Sequence, residues 1–219
     1  MAGLSNFTLT SGSKITAGVL GVSGYTGGML YRLLRKHPNI GEIVPFGFSS
    51  AGKSLRDVLS LPDVPADAVI RNFNEDDTEV DVFFLALPHS ASYEYIERIL
   101  QRSKLVIDLS ADYRLDTVED YLLHYAHKHE YPELLKQKFY GYADLTKQSD
   151  YAGKKLLAVP GCYPTISALS TAPVLEKFAG KIASVDIIAS SGISGAGKSL
   201  KESNLFVEVY GNYYTYNIK

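Results

Sequence analysis

A chain of 219 residues with 46% hydrophobic and 21% charged side chains has the length and apolar content to bury a real core, as one large domain or two small ones. Its 22 Lys and Arg against 24 Asp and Glu leave a net charge of −2, with no surplus to hold a polyanion, which argues against nucleic acid as a partner. The single cysteine, Cys162, excludes an intramolecular disulfide framework and any multi-cysteine metal site, and it fits a reducing, cytoplasmic compartment.

Residues 1–13 are rich in Ser and Thr and lack both an apolar signal core and the arginines of a transit peptide, so they read as a loose N-terminal arm. From there strands and helices alternate, predicting an α/β fold with a mainly parallel sheet. Residues 15–21 predict a buried strand. A helix over 25–36 follows, with Met29, Leu30, Leu33 and Leu34 as its inner face, stopped at His37-Pro38-Asn39. Strands are expected at 43–48, 80–87 and 105–109. The run at 80–87, VDVFFLAL, is continuous and apolar, as when helices cover both faces, and it is far too short to span a bilayer. Between the last two strands, 92–101 reads as a helix facing inward through Tyr95, Ile96, Ile99 and Leu100. The stretch 116–136 is helical but broken at Pro132, and its tyrosines and histidines suit a surface element. A strand at 155–159, a helix at 164–178 and a strand at 183–189 come next, and the tyrosine-rich tail 205–219 is strand-like. A domain change is expected near Gly161: residues 14–161 form one unit, and 162–219 are short for a second.

Gly18, Gly21, Gly24 and Gly27 recur where the first strand turns into the first helix. Glycines there let the backbone approach a pyrophosphate seated on the free N–H groups of the helix N-terminus, in the company of Ser23, Tyr25 and Thr26. A tight turn without ligand would leave the same pattern. An NAD site usually places an acid at the end of the second strand for the ribose hydroxyls; here Ser49, Ser50 and Lys53 stand instead and would suit the 2′-phosphate of NADP. A plain polar loop is the alternative. Pro88 and His89 follow the third strand, where α/β ligands gather, and His89 reads equally as a helix cap.

Residues 192–199 satisfy the phosphate-binding pattern G-x-x-x-x-G-K-[ST]. A P-loop normally opens the fold, however, and only twenty residues follow Ser199, so Ser194, Gly195, Ala196 and Gly197 read better as a small-residue loop around another anion or ring. Cys162 lies between a strand end and a helix start, where the helix dipole favours a thiolate nucleophile; an inert buried thiol is the competing reading. His124, His127 and His129 have no nearby carboxylate pattern and read as solvent-facing, so no metal site is expected.

Taken together, Gly21-Val22-Ser23-Gly24-Tyr25-Thr26-Gly27, Ser49-Ser50-Ala51-Gly52, Leu85-Ala86-Leu87-Pro88-His89, the segment Asp108–Leu115, Pro160-Gly161-Cys162-Tyr163-Pro164-Thr165 and the segment Ser191–Lys198 resemble the N-acetyl-γ-glutamyl-phosphate reductases of the semialdehyde dehydrogenase group. The resemblance implies a Rossmann-type doubly wound sheet that binds NADP, followed by part of an α+β catalytic and oligomerisation domain. It also implies Cys162 as nucleophile toward a small acyl phosphate through a thioester, in arginine biosynthesis. The loop at 194–197 would then approach the nicotinamide, with Arg114 and Lys198 as candidates for the substrate's anionic groups. Val159 stands where Asn is usual before Pro-Gly-Cys, and Tyr142-Ala143-Asp144 where Leu-Pro-Glu is usual. The family's catalytic histidine would fall beyond Lys219, so the resemblance implies a chain shortened at its C-terminus, from a parent expected to be a homo-oligomer without nucleic-acid or membrane partners. The aminoadipyl-phosphate reductase of lysine biosynthesis, one methylene away, and a nucleotide-binding module without turnover remain open.

Overall fold

The computed structural model describes residues 13–198 and 201–215; the expected arm falls almost wholly outside them. Seven strands form one sheet: β1 (Ile15–Leu20), β2 (Ile40–Gly47), β3 (Arg71–Asn72), β4 (Val80–Leu85), β5 (Ser103–Asp108), β6 (Phe139–Tyr140) and β7 (Leu156–Ala158). Their order is β3-β2-β1-β4-β5-β7-β6 and every pairing is parallel. Successive side chains of a strand point to opposite faces. Ala17, Val19 and Val82 therefore pack into one core with Tyr31, Leu34 and Leu55, from α1 (Tyr25–Leu34) and α2 (Leu55–Leu59). Leu20, Phe83 and Leu85 pack into the other, with Ile96 and Ile99 of α3 (Ile96–Gln101), Tyr121 of α4 (Val118–Tyr125) and Leu135 of α5 (Pro132–Gln137). The continuous apolar run of β4 is explained by these two covered faces.

The inner face of α1 differs from the sequence expectation. Gly27, Gly28, Tyr31 and Leu34 are buried, whereas Met29 and Leu33 are 54% and 60% exposed. The glycines let the helix lie close, and a Cβ on Gly28 would sit 2.7 Å from Leu59, so the approach turns the helix onto its smallest face. Pro132 opens α5 at its first turn rather than merely breaking a longer helix. A short helix, α6 (Gln148–Tyr151), precedes β7, and the helix after it, α7 (Cys162–Lys177), starts at the cysteine itself. No strand forms at 183–189: the segment finds no ladder partner among the described residues, and Val185, Ile187 and Ile188 are exposed. The tail is not strand-like either, since 206–209 form a short helix and 212–215 are irregular; residues 216–219 lie outside the described residues.

The carboxyl ends of the strands are tied together by residues 108–114. Asp108, fully buried, accepts the Val159 N–H on its carbonyl at 2.8 Å. Its carboxyl meets the Ser110 N–H at 3.1 Å and the Ser110 hydroxyl at 2.8 Å. Asp112, 2% exposed, accepts from the Ser90 N–H at 2.7 Å, the Ser92 N–H at 3.2 Å and the Ser92 hydroxyl at 2.5 Å. Tyr121 and His129, expected on the surface, are both 2% exposed. Each hides its ring while a backbone group satisfies its polar tip. The Tyr121 hydroxyl donates to the Ala111 carbonyl at 2.9 Å and accepts from the Leu115 N–H at 2.9 Å. His129 Nδ1 accepts from the Tyr131 N–H at 3.0 Å, so Nε2 carries the proton it donates to the Asp112 carbonyl at 2.7 Å. Burial favours this neutral ring and lowers its pKa.

Burial, with Asp112 nearby, pushes the Asp108 carboxyl up to about 7, against the lowering effect of the Ser110 bonds. The unfolded chain loses this proton near ~3.9 while the folded chain keeps it, so this group's contribution falls as pH rises from about 4 to about 7. Asp63, Asp76, Asp77 and Asp81, all lowered, act with the opposite sign, so the contribution must be read as a difference. Subtracting the denaturation profile of Asp108→Asn from that of the parent should give a curve falling by up to ~1.4 kcal/mol per pH unit across that window. A flat difference would mean that Asp108 is ionised in the fold.

Candidate active site

Strand order reverses between β1 and β4, and at such a switch point the loops leaving neighbouring strands open a crevice for ligands. Leu20 and Leu85 pair at its floor, and the Ala86 N–H bonds the Leu20 carbonyl at 2.9 Å. Gly21 turns away with φ of +84°, and a Cβ there would overlap the Ala86 carbonyl. A Cβ on Gly27 would overlap the Gly21 carbonyl, so turn and helix lie in direct backbone contact. Gly18 is different in kind: it makes room for the Phe83 ring, 3.0 Å from a Cβ placed there. At the mouth, Gly24 caps α1 without a side-chain bond, and no acid occupies the first turn. Tyr25 and Thr26 are exposed there. The unpaired N–H groups of a helix start and this bare backbone cradle fit a pyrophosphate.

Beside it, β2 runs into a turn at 49–52, closed by the Ala51 N–H on the Phe48 carbonyl at 3.0 Å. Ser49 and Lys53 are exposed and Ser50 is half-buried, with no acid between Phe46 and Leu55. The β2 side of the crevice is therefore lined by hydroxyls and a cation. From β4, Pro88 and His89 project into solvent. His89 Nδ1 accepts the Ala111 N–H at 3.2 Å, and Asp112 grips the following residues. The alternative reading of His89 as a cap for its own helix gives way to a bond to the next loop.

Cys162 is exposed at the first turn of α7, capped by Gly161 without a side-chain bond. Its strand, β7, lies beyond β5 from β4, two strand spacings or ~10 Å across the sheet edge. Arg114 donates from Nε to the Val159 carbonyl at 2.9 Å and from Nη2 to the Leu109 carbonyl at 2.9 Å. It pairs with neither Asp112, held by Ser90 and Ser92, nor Asp116, whose carboxylate is 2.6 Å from Lys138 Nζ. Lys198 reaches the crevice: Nζ donates to the Ser23 carbonyl at 2.8 Å and lies 5.4 Å from the centre of the Tyr25 ring. Residues 194–197 are exposed, spanning the end of a 3₁₀ turn (Ile193–Ala196) and Gly197, with φ of +81°. Without a strand before it, this loop lacks the frame of a P-loop; Ser199 lies outside the described residues. Of the histidines, His124 is exposed, His127 stacks on Tyr93 at 5.2 Å, and His129 is core. Among the described residues no three His, Cys, Asp or Glu side chains gather as metal ligands, and no helix is long and apolar enough to cross a membrane.

Sequence reasoning did not single out Asp108, Ser110, Asp112, Tyr121 and His129 as the supports of these loops. The available signal was two acids and a serine directly after an apolar strand, at the end of the sheet where ligands gather.

Known proteins share this arrangement. The solved structure of aspartate semialdehyde dehydrogenase with NADP from Candida albicans superposes with a TM-score of 0.56 at 19% identity, over 76% of this chain and 48% of that one. At that identity the likeness is one of fold. N-acetyl-gamma-glutamyl-phosphate reductase of Campylobacter jejuni (strain RM1221) is 42% identical over 206 residues, 94% of this chain and 59% of its own length. The protein of the same name from Geotalea daltonii is 38% identical over 202 residues, 91% of this chain and 58% of its own. The chain thus spans less than two thirds of the curated relatives it matches. The family model for the semialdehyde dehydrogenase dimerisation domain matches residues 162–219. That for the semialdehyde dehydrogenase NAD-binding domain matches residues 16–172, most of the chain, which therefore belongs to the semialdehyde dehydrogenase family.

Proposed function

We propose that this chain carries the cofactor and nucleophile sites of an NADPH-dependent reductase that converts N-acetyl-γ-glutamyl phosphate to the semialdehyde and phosphate, in arginine biosynthesis. The observation that carries the reading is Cys162, exposed on an uncapped helix start, two strands from a crevice built for a dinucleotide. Similarity to the reductases named above supports the substrate. The Cys162 sulfur attacks the acyl carbon, and the bond from that carbon to the phosphate oxygen breaks, so phosphate leaves with the electron pair. A thioester remains on Cys162. When bound, the reduced nicotinamide supplies a hydride. Cys162 then regains its electron pair as the carbon–sulfur bond breaks, and the aldehyde departs. Gly21, Ser23, Gly24, Tyr25, Thr26 and Gly27 hold the pyrophosphate; Ser49, Ser50 and Lys53 hold the 2′-phosphate. Pro88, His89 and the loop from Ser194 to Gly197 border the ring, and Lys198 supplies a cation for the substrate's anionic groups. Residues 14–161 act as the cofactor domain and 162–219 as a segment for catalysis and pairing with a second copy, which the dimerisation-domain match supports.

NADPH should bind at least about tenfold more tightly than NADH, since a charge-assisted phosphate contact is worth on the order of 1.4 kcal/mol or more. Fluorescence titration at fixed salt measures both, and Lys53→Glu should erase the preference. Equal affinities in the parent would remove NADP from the proposal. Mixing the chain with N-acetyl-γ-glutamyl phosphate should release phosphate and add the acyl mass to Cys162, read by mass spectrometry. Cys162→Ser should abolish both, and release that survives it would refute the thioester.

A further inference from the structure

We infer that Arg114 is the positioning residue for Cys162: its guanidinium bridges the ends of β5 and β7 and so sets the turn that carries the nucleophile. What Cys162 attacks rests on the function proposed above; the bridge itself does not. The two carbonyls that Arg114 binds belong to Leu109 and Val159, the residues immediately after β5 and β7. Val159 directly precedes Pro160-Gly161-Cys162. Proline has no N–H to anchor this turn, so the Val159 groups matter more. Its N–H is fixed on the Asp108 carbonyl at 2.8 Å and its carbonyl on Arg114 at 2.9 Å, which leaves β7 one way to exit. The turn also wraps the guanidinium closely: a Cβ on Gly161 would stand 3.0 Å from Nη1. Gly161 therefore keeps space for Arg114.

The geometry needs arginine in particular. The guanidinium presents its donors in a rigid plane that holds both carbonyls in fixed register, while lysine's three donors sit on one mobile ammonium without that plane. Asp112 and Asp116, its neighbours in sequence, have other partners. The role follows from orientation: a misplacement of about 1 Å at a reacting group costs on the order of 10²-fold in rate.

Three variants of this chain test the inference: Arg114→Lys, Arg114→Ala and Gly161→Ala. Amide hydrogen exchange is followed across 156–166 and across β1 and β4, and phosphate release is followed against N-acetyl-γ-glutamyl phosphate concentration. The expected result is exchange at least tenfold faster across 156–166 alone, in all three variants. The saturating rate should fall about 10²-fold while the half-saturating concentration stays within twofold, and lysine should not rescue. Rescue by lysine with a raised half-saturating concentration would make Arg114 a substrate-anion ligand and overturn the inference. Unchanged exchange at 156–166 would overturn it too, as would exchange that rises throughout Arg114→Lys, the mark of a general structural role. If the parent releases no phosphate, the proposed reaction fails, and the exchange data still decide the bridge.

Discussion

The site edge of the sheet is organised around one buried carboxylate that faces no cation. Asp112 is 2% exposed, and among the described residues its oxygens are met only by the Ser90 and Ser92 N–H groups and the Ser92 hydroxyl. Removing a carboxylate from water costs several kcal/mol unless donors replace the lost hydration. The loop after β4 is therefore shaped by what Asp112 requires, and His89 is carried along with it. The same residue's carbonyl takes the proton of His129, so the excursion through α4 and α5 closes onto the same point. Cofactor loop, cysteine strand and helical excursion are all fastened to residues 108–114.

The neighbouring acid receives fewer donors. Among the described residues only Ser110 donates to Asp108, and Asp112 lies close enough to raise its pKa further. The two carboxyls on this loop thus differ in the donors each receives. The neutral form has a place for its proton: the Ser110 hydroxyl can reverse its role and accept from Asp108, as a hydroxyl rotates freely. A full charge at Asp108 would sit beside the β7 exit and oppose the Asp112 carboxylate.

Sheet and crevice were legible because each rests on local pattern. A continuous apolar run marks β4, and glycines that tolerate φ of +84° or backbone overlap mark the turn after β1. The face of α1 was misread because apolar size suggested Met29 and Leu33, whereas closeness to the sheet selected glycine. Tyr121 and His129 were misread because polarity alone cannot reveal that a distant backbone group will satisfy a ring tip. Arg114 illustrates the same gap: its partners in the fold are the carbonyls of Leu109 and Val159, brought together only by the sheet. Ile187 and Ile188 read as strand from composition, but a strand exists only where a ladder partner does.

The two helices that carry the proposed chemistry also share a local rule that separates them from the structural ones. α4 closes its own N-terminus: Thr117 accepts the Asp120 N–H at 3.1 Å, and Glu119 and Asp120 stand in the first turn. α1 and α7 do neither. Each follows a buried strand, begins after a glycine with no side-chain cap, and has no acid in its first turn. Caps and first-turn acids each stabilise a helix by roughly 0.3–2 kcal/mol, so leaving them out costs stability that the fold must recover elsewhere. α1 recovers it by packing Gly27 and Gly28 against the sheet and Leu59. α7 has no buried residue of its own, and its start is held instead by the bonds from Asp108 and Arg114 to Val159. An uncapped helix start thus stands at two points along one sheet edge, after Gly24 and after Gly161, and residues 108–114 tie together the strand ends between them.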